Sequence, residues 1–232
     1  MRKELRQVTT LWKDTILEST EQIAALQKQL DYLVLKLSKS AQTECEALDM
    51  IFLLDGSGSM TDTSTFIQSK GFIWDVVTRN KNSSIQFAAA QFSSKARTIF
   101  TFKDYKEGTA KEKNDKEKDM GELSNTYNGI EHVLVNLFND TKSGASPAAK
   151  KVLVIITDGR LTDYDAKDVL KQCDEQGILR IVIGVGIIQE NIGIFASEPK
   201  DENMFLTKRI TDISRLPDKL QTKISIGFPG VC

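Results

Sequence analysis

Apolar runs that alternate with amphipathic stretches limit the fold of this chain more than any other feature. Four short runs have the character of strands, and three of them are continuously apolar, as strands covered on both faces are. The four runs are residues 49–55, 84–93, 151–158 and 179–186. Segments with helical spacing separate or follow them, at 63–80, 126–140, 163–177 and 210–224. This alternation predicts a doubly wound, mostly parallel α/β sheet with helices on both faces.

Two neighbouring segments complete this pattern. Residues 95–105 follow the second strand after a short Ser-Ser turn, which predicts an antiparallel hairpin strand at the edge of the sheet. Residues 103–119 carry six basic and six acidic side chains, so this run predicts a solvated loop or helix face rather than a charged binding patch.

Charge and hydropathy exclude several functions. The formal net charge is −1, so no basic surplus favours nucleic acid or anionic lipid. No apolar stretch approaches the roughly 20 residues that span a bilayer. The first residues, MRKELRQVTTLWKDT, lack the apolar core of a signal peptide. We therefore expect either an intracellular protein or part of a longer chain.

The first 44 residues have a seven-residue rhythm instead. Eight of the ten core positions of this repeat are apolar, which predicts a helix that forms a coiled coil and joins copies of the chain through residues 5–37. A helix packed on its own domain is the alternative. The core positions are Leu5, Thr9, Trp12, Ile16, Ser19, Ile23, Leu26, Leu30, Leu33 and Leu37. We expect two domains, at 1–44 and 45–232.

The cysteines and the Asn-X-Ser/Thr triplets concern the question of whether the protein is located inside or outside the cell. Cys45 and Cys232 bracket the segment that has globular character, so they would form a disulfide in an oxidising compartment if its ends lie close together. Cys173 lies on a predicted amphipathic helix and is expected to be a small buried side chain. Asn82 and Asn139 begin Asn-X-Ser/Thr triplets, which would be glycosylated outside the cell or are chance matches.

Oxygen-bearing side chains follow the predicted strands. Asp55, Ser57 and Ser59 lie in DGSGSM directly after the first strand, where they could bind a hard cation, contact phosphate or form a polar turn. Thr126 precedes a helix, and Asp158 ends a strand. Because ligands of open α/β folds bind at the carboxyl ends of the strands, these five groups would share one edge. Two carboxylates and three hydroxyls suit Mg²⁺ or Mn²⁺.

Other ligand and catalytic motifs are missing from the sequence. The glycines at 56 and 58 lack the third glycine of a dinucleotide-binding loop, because Thr61 stands in its place. The sequence also contains no GxxxxGK[ST] loop for nucleotide phosphates. His132 is the only histidine and lies inside a predicted helix, which gives a histidine-based hydrolase little support. We therefore expect a binding protein and not an enzyme.

A family resemblance rests on these same segments. DGSGSM, LSNTYNGI and VIITDG resemble the three loops of the metal-ion-dependent adhesion site in von Willebrand factor A domains. IQFAAAQFSS, IFTFKDY, LFNDT, LRIVIGVG and FASEPKDENMF are similar, more narrowly, to the inserted (I) domain of leukocyte integrin α subunits. The similarity runs from about residue 48 to residue 226. It implies a Rossmann-like, six-stranded sheet with one antiparallel edge strand, preceded here by an N-terminal helix.

The resemblance also implies a mechanism and a location. Asp55, Ser57, Ser59, Thr126 and Asp158 would hold Mg²⁺ or Mn²⁺ with one coordination position facing solvent. A Glu or Asp of a partner protein, such as an immunoglobulin-type adhesion molecule, would fill that position beside Met60 and Arg160 on the ligand-binding rim. The protein would be extracellular or at the cell surface. The alternative is an intracellular von Willebrand A-type scaffold that assembles protein complexes.

Two departures from the integrin pattern concern partners. Integrin I domains of this type carry a glutamate after the last helix that binds the integrin β subunit, whereas this chain has no acidic residue after Asp218. Arg160 follows the TDG triplet where an acidic residue is common among these relatives, and its positive charge would attract an acidic ligand. The contact with an integrin β subunit through that glutamate is therefore expected to be absent or altered, although the β subunit stays among the expected partners.

Overall fold

The computed structural model describes two compact units, residues 1–44 and 45–232. The residues that it describes are Trp12, Ile16, 19–34, 45–60, 63–159, 167–186 and 192–231. In the first unit residues 19–34 are helical, as are Trp12 and Ile16, and every described side chain there is exposed to solvent. None of the described helices combines the length and apolar character that a membrane span needs.

The second unit is built on a six-stranded sheet. Its strands are Leu48–Asp55 (β1), Ile85–Phe92 (β2), Ala96–Phe100 (β3), Lys150–Thr157 (β4), Ile178–Val185 (β5) and Met204–Thr207 (β6). They lie in the order β3-β2-β1-β4-β5-β6, and only β3 runs antiparallel to its neighbour. This confirms the predicted doubly wound sheet with one antiparallel edge strand.

Helices cover both faces of this sheet. The α-helices of the second unit are Thr63–Arg79 (α1), Phe102–Lys106 (α2), Ala110–Lys116 (α3), Thr126–Val133 (α4), Lys167–Glu175 (α5) and Leu216–Gly227 (α6). A π-helical segment, Leu134–Phe138, continues α4. Short 3₁₀ turns lie at Gly58–Met60, Thr141–Ser143, Ile192–Phe195 and Ile210–Arg215.

The edge strand and the last helix differ from the sequence-based prediction. β3 ends at Phe100, because Thr101 starts a helix with a reciprocal cap. Its Oγ1 accepts a hydrogen bond from the Asp104 N–H at 3.1 Å, and Asp104 Oδ2 accepts one from the Thr101 N–H at 2.9 Å. The segment expected as a helix from residue 210 begins as a 3₁₀ turn, and regular α-helix starts at Leu216. Pro217 suits that first turn, since it needs no intrahelical N–H bond there.

β1 lies at the centre of two hydrophobic cores. All eight of its residues are buried, and successive side chains point to opposite faces of the sheet. Phe52 packs with side chains of α1 and α6 on one face, and Leu53 packs with side chains of α4 and α5 on the other. Burying a large apolar side chain contributes about 1.5–3 kcal/mol. The carboxyl end of β1 is therefore held on a rigid support.

The chain enters and leaves the second unit at the amino ends of the strands. The Glu46 N–H donates a hydrogen bond to Gly230 O at 2.8 Å. Cys45 is disulfide-bonded. Cys232 lies outside the described residues, so its pairing with Cys45 stays a prediction. Cys173 is a free, buried thiol, and burial raises its pKa to about 11, which suppresses the reactive thiolate.

Candidate metal centre

The carboxyl ends of β1 and β4 define a crevice at one edge of the sheet. After β1 the chain continues to β2 on one side of it, and returns later to β4 on the other side. A reversal of strand order of this kind leaves an opening at the strand ends, where open α/β folds bind ligands. β1 ends at Asp55 and β4 ends at Thr157, so both strands deliver oxygen-bearing side chains to this opening.

Asp55 is fully buried and held by hydrogen bonds at both carboxylate oxygens. Its Oδ1 accepts from the Ser57 N–H at 2.9 Å, and its Oδ2 accepts from Thr157 Oγ1 at 2.7 Å and from Ser124 Oγ at 3.3 Å. Burial raises the pKa of Asp55, and Asp158 acts in the same direction, while hydrogen bonds from Ser57 and Thr157 oppose this rise. A cation next to this carboxylate would offset the cost of its burial.

Ser57 and Ser59 bring two hydroxyl groups together beside Asp55. Their Oγ atoms lie 3.0 Å apart, with Ser57 buried and Ser59 partly exposed. The 3₁₀ turn at Gly58–Met60 produces this spacing, since it folds the chain back directly after Ser57. Two hydroxyl oxygens at this distance can face one point beside the end of β1.

Thr126 provides the direct test of whether these residues fit a cation. It is the first residue of α4, and its side chain is fully buried. Its Oγ1 has no hydrogen-bond partner in the described structure. An unsatisfied buried hydroxyl costs about 1–3 kcal/mol. A hard cation in the crevice would give this oxygen a partner, so the residues present fit the metal that the sequence predicts.

Asp158 adds the second carboxylate, directly after β4. It is half-buried and close enough to Asp55 to contribute to the raised pKa of that group. The next residue, Gly159, donates its N–H to Thr157 Oγ1 at 3.1 Å, which orders the start of the loop. Among the described residues, no three carboxylate, histidine or cysteine side chains form a metal cluster. The candidate donor set is therefore two carboxylates completed by hydroxyls.

Backbone hydrogen bonds join the first loop to the segment before α4. The N–H groups of Met120 and Gly121 both donate to Gly56 O, at 3.1 and 2.9 Å. The Gly58 N–H donates to Glu122 O at 2.8 Å. Gly56 also lies against a buried glutamine, because a Cβ at this position would come within 1.9 Å of Gln91 Oε1. A residue with a Cβ at this position would require the Gln91 side chain to shift, and the backbone hydrogen bonds tie the loop that carries Ser57 and Ser59 to the segment before α4.

The two loops enclose a surface cleft of about 430 Å³. The cleft is lined by Ser57, Gly58, Ser59, Gly121, Glu122, Leu123 and Ser124. Leu123 lines this cleft and is 70% exposed. The candidate metal centre therefore opens to solvent next to one exposed apolar group.

The structure places the predicted residues as follows. Asp55, Ser57, Ser59, Thr126 and Asp158 all lie at the carboxyl edge of the sheet, on three adjoining segments. Met60 is fully buried in the hydrophobic core beneath the loop, so its side chain does not lie on a ligand-binding rim. This corrects the prediction made for Met60. Arg160 lies outside the described residues.

Sequence reasoning missed three residues of this site. Thr157 and Ser124 donate hydrogen bonds to Asp55, and Leu123 is exposed at the cleft. The register of the sheet could have indicated Thr157, since Leu54 pairs with Ile156 and the next residues along the two strands are Asp55 and Thr157. No pattern in the sequence distinguishes Ser124 or Leu123 from other loop residues.

The fold and the site define an open α/β domain with an oxygen-donor site where its strand order reverses. The model of the von Willebrand factor type A domain matches residues 49–219. The chain belongs to this family.

Within this family, the chain is similar in sequence to integrin alpha subunits and to matrilin-1. The chain is 33% identical to integrin alpha-M of Mus musculus over 195 residues, which cover 79% of this chain and 17% of that protein. It is 30% identical to integrin alpha-D of Homo sapiens over 202 residues, covering 82% of this chain and 17% of that protein. Matrilin-1 of Homo sapiens is 32% identical over 186 residues, which cover 78% of this chain and 36% of that protein. The chain thus spans only a minor part of each relative.

Solved structures share the fold. Proximal thread matrix protein 1 from the mussel byssus superposes with a TM-score of 0.65 at 22% identity, covering 76% of this chain and 47% of that one. Another structure of the same mussel protein, with a zinc-occupied MIDAS motif, gives a TM-score of 0.65 at 22% identity and covers 76% of this chain and 48% of that one. At this identity the likeness shows the fold alone.

Proposed function

We propose that the domain is a metal-dependent protein-binding module that captures a partner carboxylate. Asp55, Ser57, Ser59, Thr126 and Asp158 would hold the cation. The observation that carries this proposal is the buried Thr126 Oγ1, which has no hydrogen-bond partner in the described structure. The bound cation would supply a positive charge that attracts a carboxylate of the partner. The cleft beside Ser57 and Ser59 gives that carboxylate access from solvent.

Mg²⁺ or Mn²⁺ is the cation that we propose, because the candidate donors are all oxygens. Zn²⁺ takes nitrogen and sulfur donors more readily, although the related mussel structure holds zinc in its MIDAS motif. The proposed role is binding and not catalysis, since the carboxylates and hydroxyls of this site are all proposed as ligands of the cation.

The proposed partner is a protein that presents Glu or Asp at an exposed position, next to an apolar residue. Leu123 supports the proposed apolar residue of the partner, because the exposed Leu123 side chain at the same cleft can contact an apolar group. The relatives are integrin alpha subunits and matrilin, so we propose an extracellular adhesion role and an immunoglobulin-type adhesion molecule as ligand. An integrin β subunit is a further proposed partner.

An intracellular scaffold with the same site is the second candidate function. The redox state of Cys45 in the cell would discriminate between the two roles, because cytosolic thiols are kept reduced whereas a disulfide persists outside the cell. Mass spectrometry of the protein from its native cells, under non-reducing conditions, separates the two. A disulfide between Cys45 and Cys232 supports the extracellular role, and reduced thiols support the scaffold.

Selection of phage-displayed random dodecapeptides on the immobilised full chain tests the proposed function. We expect phage to be retained in Mg²⁺ or Mn²⁺ and released by EDTA, and the retained peptides to contain Glu or Asp at a shared position. Selection in Ca²⁺ and Zn²⁺ measures the metal preference. Retention that is equal in EDTA, or peptides without a shared acidic residue, would contradict the proposal.

We also propose that the helical first unit joins copies of this chain through residues 5–37. Among the described residues, Ile23, Leu26, Leu30 and Leu33 form a stripe at heptad spacing, and each is 53–65% exposed. Arg6, Lys13 and Lys36 are basic residues at flanking positions of the heptad, but within residues 19–34 the flanking positions carry uncharged side chains, so identical copies meet no like-charge repulsion in that stretch. These flanking residues are Thr20, Gln22, Gln27, Gln29 and Val34. Oligomers would present several metal centres at once and gain avidity.

Sedimentation of the full chain tests this oligomer. We expect a mass that is a multiple of the monomer mass, and a shift to the monomer in Leu26→Glu/Leu30→Glu, because buried charges oppose association. Lys28→Glu changes charge on the opposite face of the helix and is the control, expected to remain oligomeric. A wild-type chain that sediments as a monomer at every concentration contradicts the proposal.

A further inference from the structure

We propose that Asn82 and Asn139 carry N-linked glycans, and that both glycans project from the edge of the sheet opposite the candidate metal centre. The proposal rests on the extracellular placement in the proposed function. Both residues begin an Asn-X-Ser/Thr triplet, and neither middle residue, Ser83 or Asp140, is proline. These two triplets are the only ones in the sequence.

Neither asparagine is buried in the core of the domain, unlike Asn80, Asn114 and Asn203. Asn82 and Asn139 are both exposed to solvent. In contrast, Asn80, Asn114 and Asn203 are buried, at 7%, 2% and 1% exposure. A glycan on an exposed side chain displaces no core contact, so the folded domain accommodates it without loss of packing. The sequence alone could not separate an acceptor on the surface from a triplet inside the fold.

Asn82 lies at the amino edge of the sheet, in the turn between α1 and β2. Ser84, the hydroxyl residue of its triplet, is anchored at the start of β1. Its backbone oxygen accepts from the Leu48 N–H at 3.2 Å, and its Oγ donates to Glu46 O at 2.7 Å. A glycan on Asn82 would therefore emerge beside the point where the chain enters the domain.

Asn139 also lies at the amino edge of the sheet, on the face that α4 covers. It follows the π-helical segment that continues α4, and α4 begins at the carboxyl edge with Thr126 and runs across the sheet. The following segment is tied to the start of β1, where the Ser146 N–H donates to Asp49 Oδ2 at 2.8 Å. A glycan on Asn139 would therefore emerge at the amino edge as well.

The length of β1 separates these glycans from the metal centre. β1 has eight residues, and a rise of about 3.3 Å per residue puts its two ends roughly 25 Å apart. Large hydrophilic groups at one end would keep the amino edge in solvent and leave the cleft beside Ser57 and Leu123 free. The two modifications would thus restrict partners to the metal-bearing edge.

Glycan occupancy is the first part of the test. The full chain is expressed in mammalian cells with a cleavable secretion leader, and glycans are removed enzymatically in ¹⁸O-water, which marks each former acceptor as a labelled aspartate. We expect the label at residues 82 and 139. Ser84→Ala and Thr141→Ala, which keep both asparagines, are expected to remove the label at 82 and at 139, respectively. Secreted protein with both asparagines unmodified overturns the proposal.

Glycan position is the second part. Removing the native glycans is expected to leave Mg²⁺-dependent retention of a selected dodecapeptide phage unchanged. Glu122→Asn places an Asn-Leu-Ser triplet at the cleft, and a glycan there is expected to reduce retention to its level in EDTA, with recovery after enzymatic removal. A gain in retention when the native glycans are removed overturns the proposed position. Absence of retention from the deglycosylated chain contradicts the proposed function, whereas occupancy is measured independently of it.

Discussion

Thr126→Ala is expected to reduce Mg²⁺-dependent peptide retention to the level measured in EDTA, while the domain stays folded. The variant removes an oxygen that has no hydrogen-bond partner in the described structure, so no hydrogen bond of the protein is lost. Binding of a metal to the native state stabilises it by about 2.7 kcal/mol at a hundredfold excess over Kd. Thermal unfolding should therefore show a Mg²⁺-induced rise in Tm for the wild type and none for Thr126→Ala.

Two further variants make this result specific. Thr126→Ser keeps the hydroxyl and is expected to retain the Mg²⁺ response, and Thr211→Ala removes an exposed threonine in the 3₁₀ turn Ile210–Arg215 and should behave as the wild type. Asp55→Ala should also abolish retention, but with a lower Tm in EDTA, because Thr157 and Ser124 lose the acceptor of their hydrogen bonds. A Mg²⁺ response that survives in Thr126→Ala would remove this residue from the site.

Gly129→Ala is expected to destabilise the domain and to weaken the metal response together. A Cβ at Gly129 would lie 2.8 Å from Phe92 Cβ and 3.2 Å from Leu53 Cδ1, both of which belong to the packed core beneath α4. Overpacking of this kind costs about 1–3 kcal/mol. Relief requires α4 to move away from the sheet, and Thr126 lies at the start of the same helix. Chemical denaturation in EDTA and in Mg²⁺ measures both effects.

Gly71→Ala is the matched control, because it makes the same change inside another helix. Nothing lies within 4 Å of the Cβ that it would add, and the position is exposed in the middle of α1. Alanine is favoured over glycine in a helix by about 1 kcal/mol, so this variant should be more stable than the wild type. The two substitutions should therefore change the free energy of unfolding in opposite directions. A Gly129→Ala variant that is more stable than the wild type would show that the packing between α4 and the sheet is not tight.

The strands and the segments of the candidate metal centre could be predicted from the sequence because they rest on local patterns. Continuous apolar runs indicate β1, β4 and β5, because strands that are covered on both faces carry apolar side chains on both faces. The positions of Asp55 and Asp158 follow, because each residue comes at the end of such a run and parallel strands end at one edge. Thr126 was placed with them because it precedes a predicted helix, and the family resemblance then implied the same five residues.

Features that depend on contacts between distant segments could not be predicted in the same way. Met60 was expected on the ligand-binding rim because the family resemblance implied it, but its side chain is buried in the core beside the 3₁₀ turn. Thr157 and Ser124 acquire their roles only when β4 and the loop before α4 meet Asp55. The strand expected over 95–105 ends early because Thr101 and Asp104 form a helix cap. This cap is a local signal in the sequence, but the strand prediction followed the apolar pattern instead.

The hydrogen bond between Glu46 and Gly230 places both ends of the domain at the amino edge of the sheet. The position of these ends determines the direction in which a mechanical load would act on the domain. The chain is anchored to whatever precedes and follows the domain at the amino edge, whereas a captured ligand would pull at the carboxyl edge. Tension between the two runs lengthwise along β1, which is paired on both sides by parallel strands. Both ladders of backbone hydrogen bonds are then loaded in shear, and many bonds resist at once instead of opening one after another.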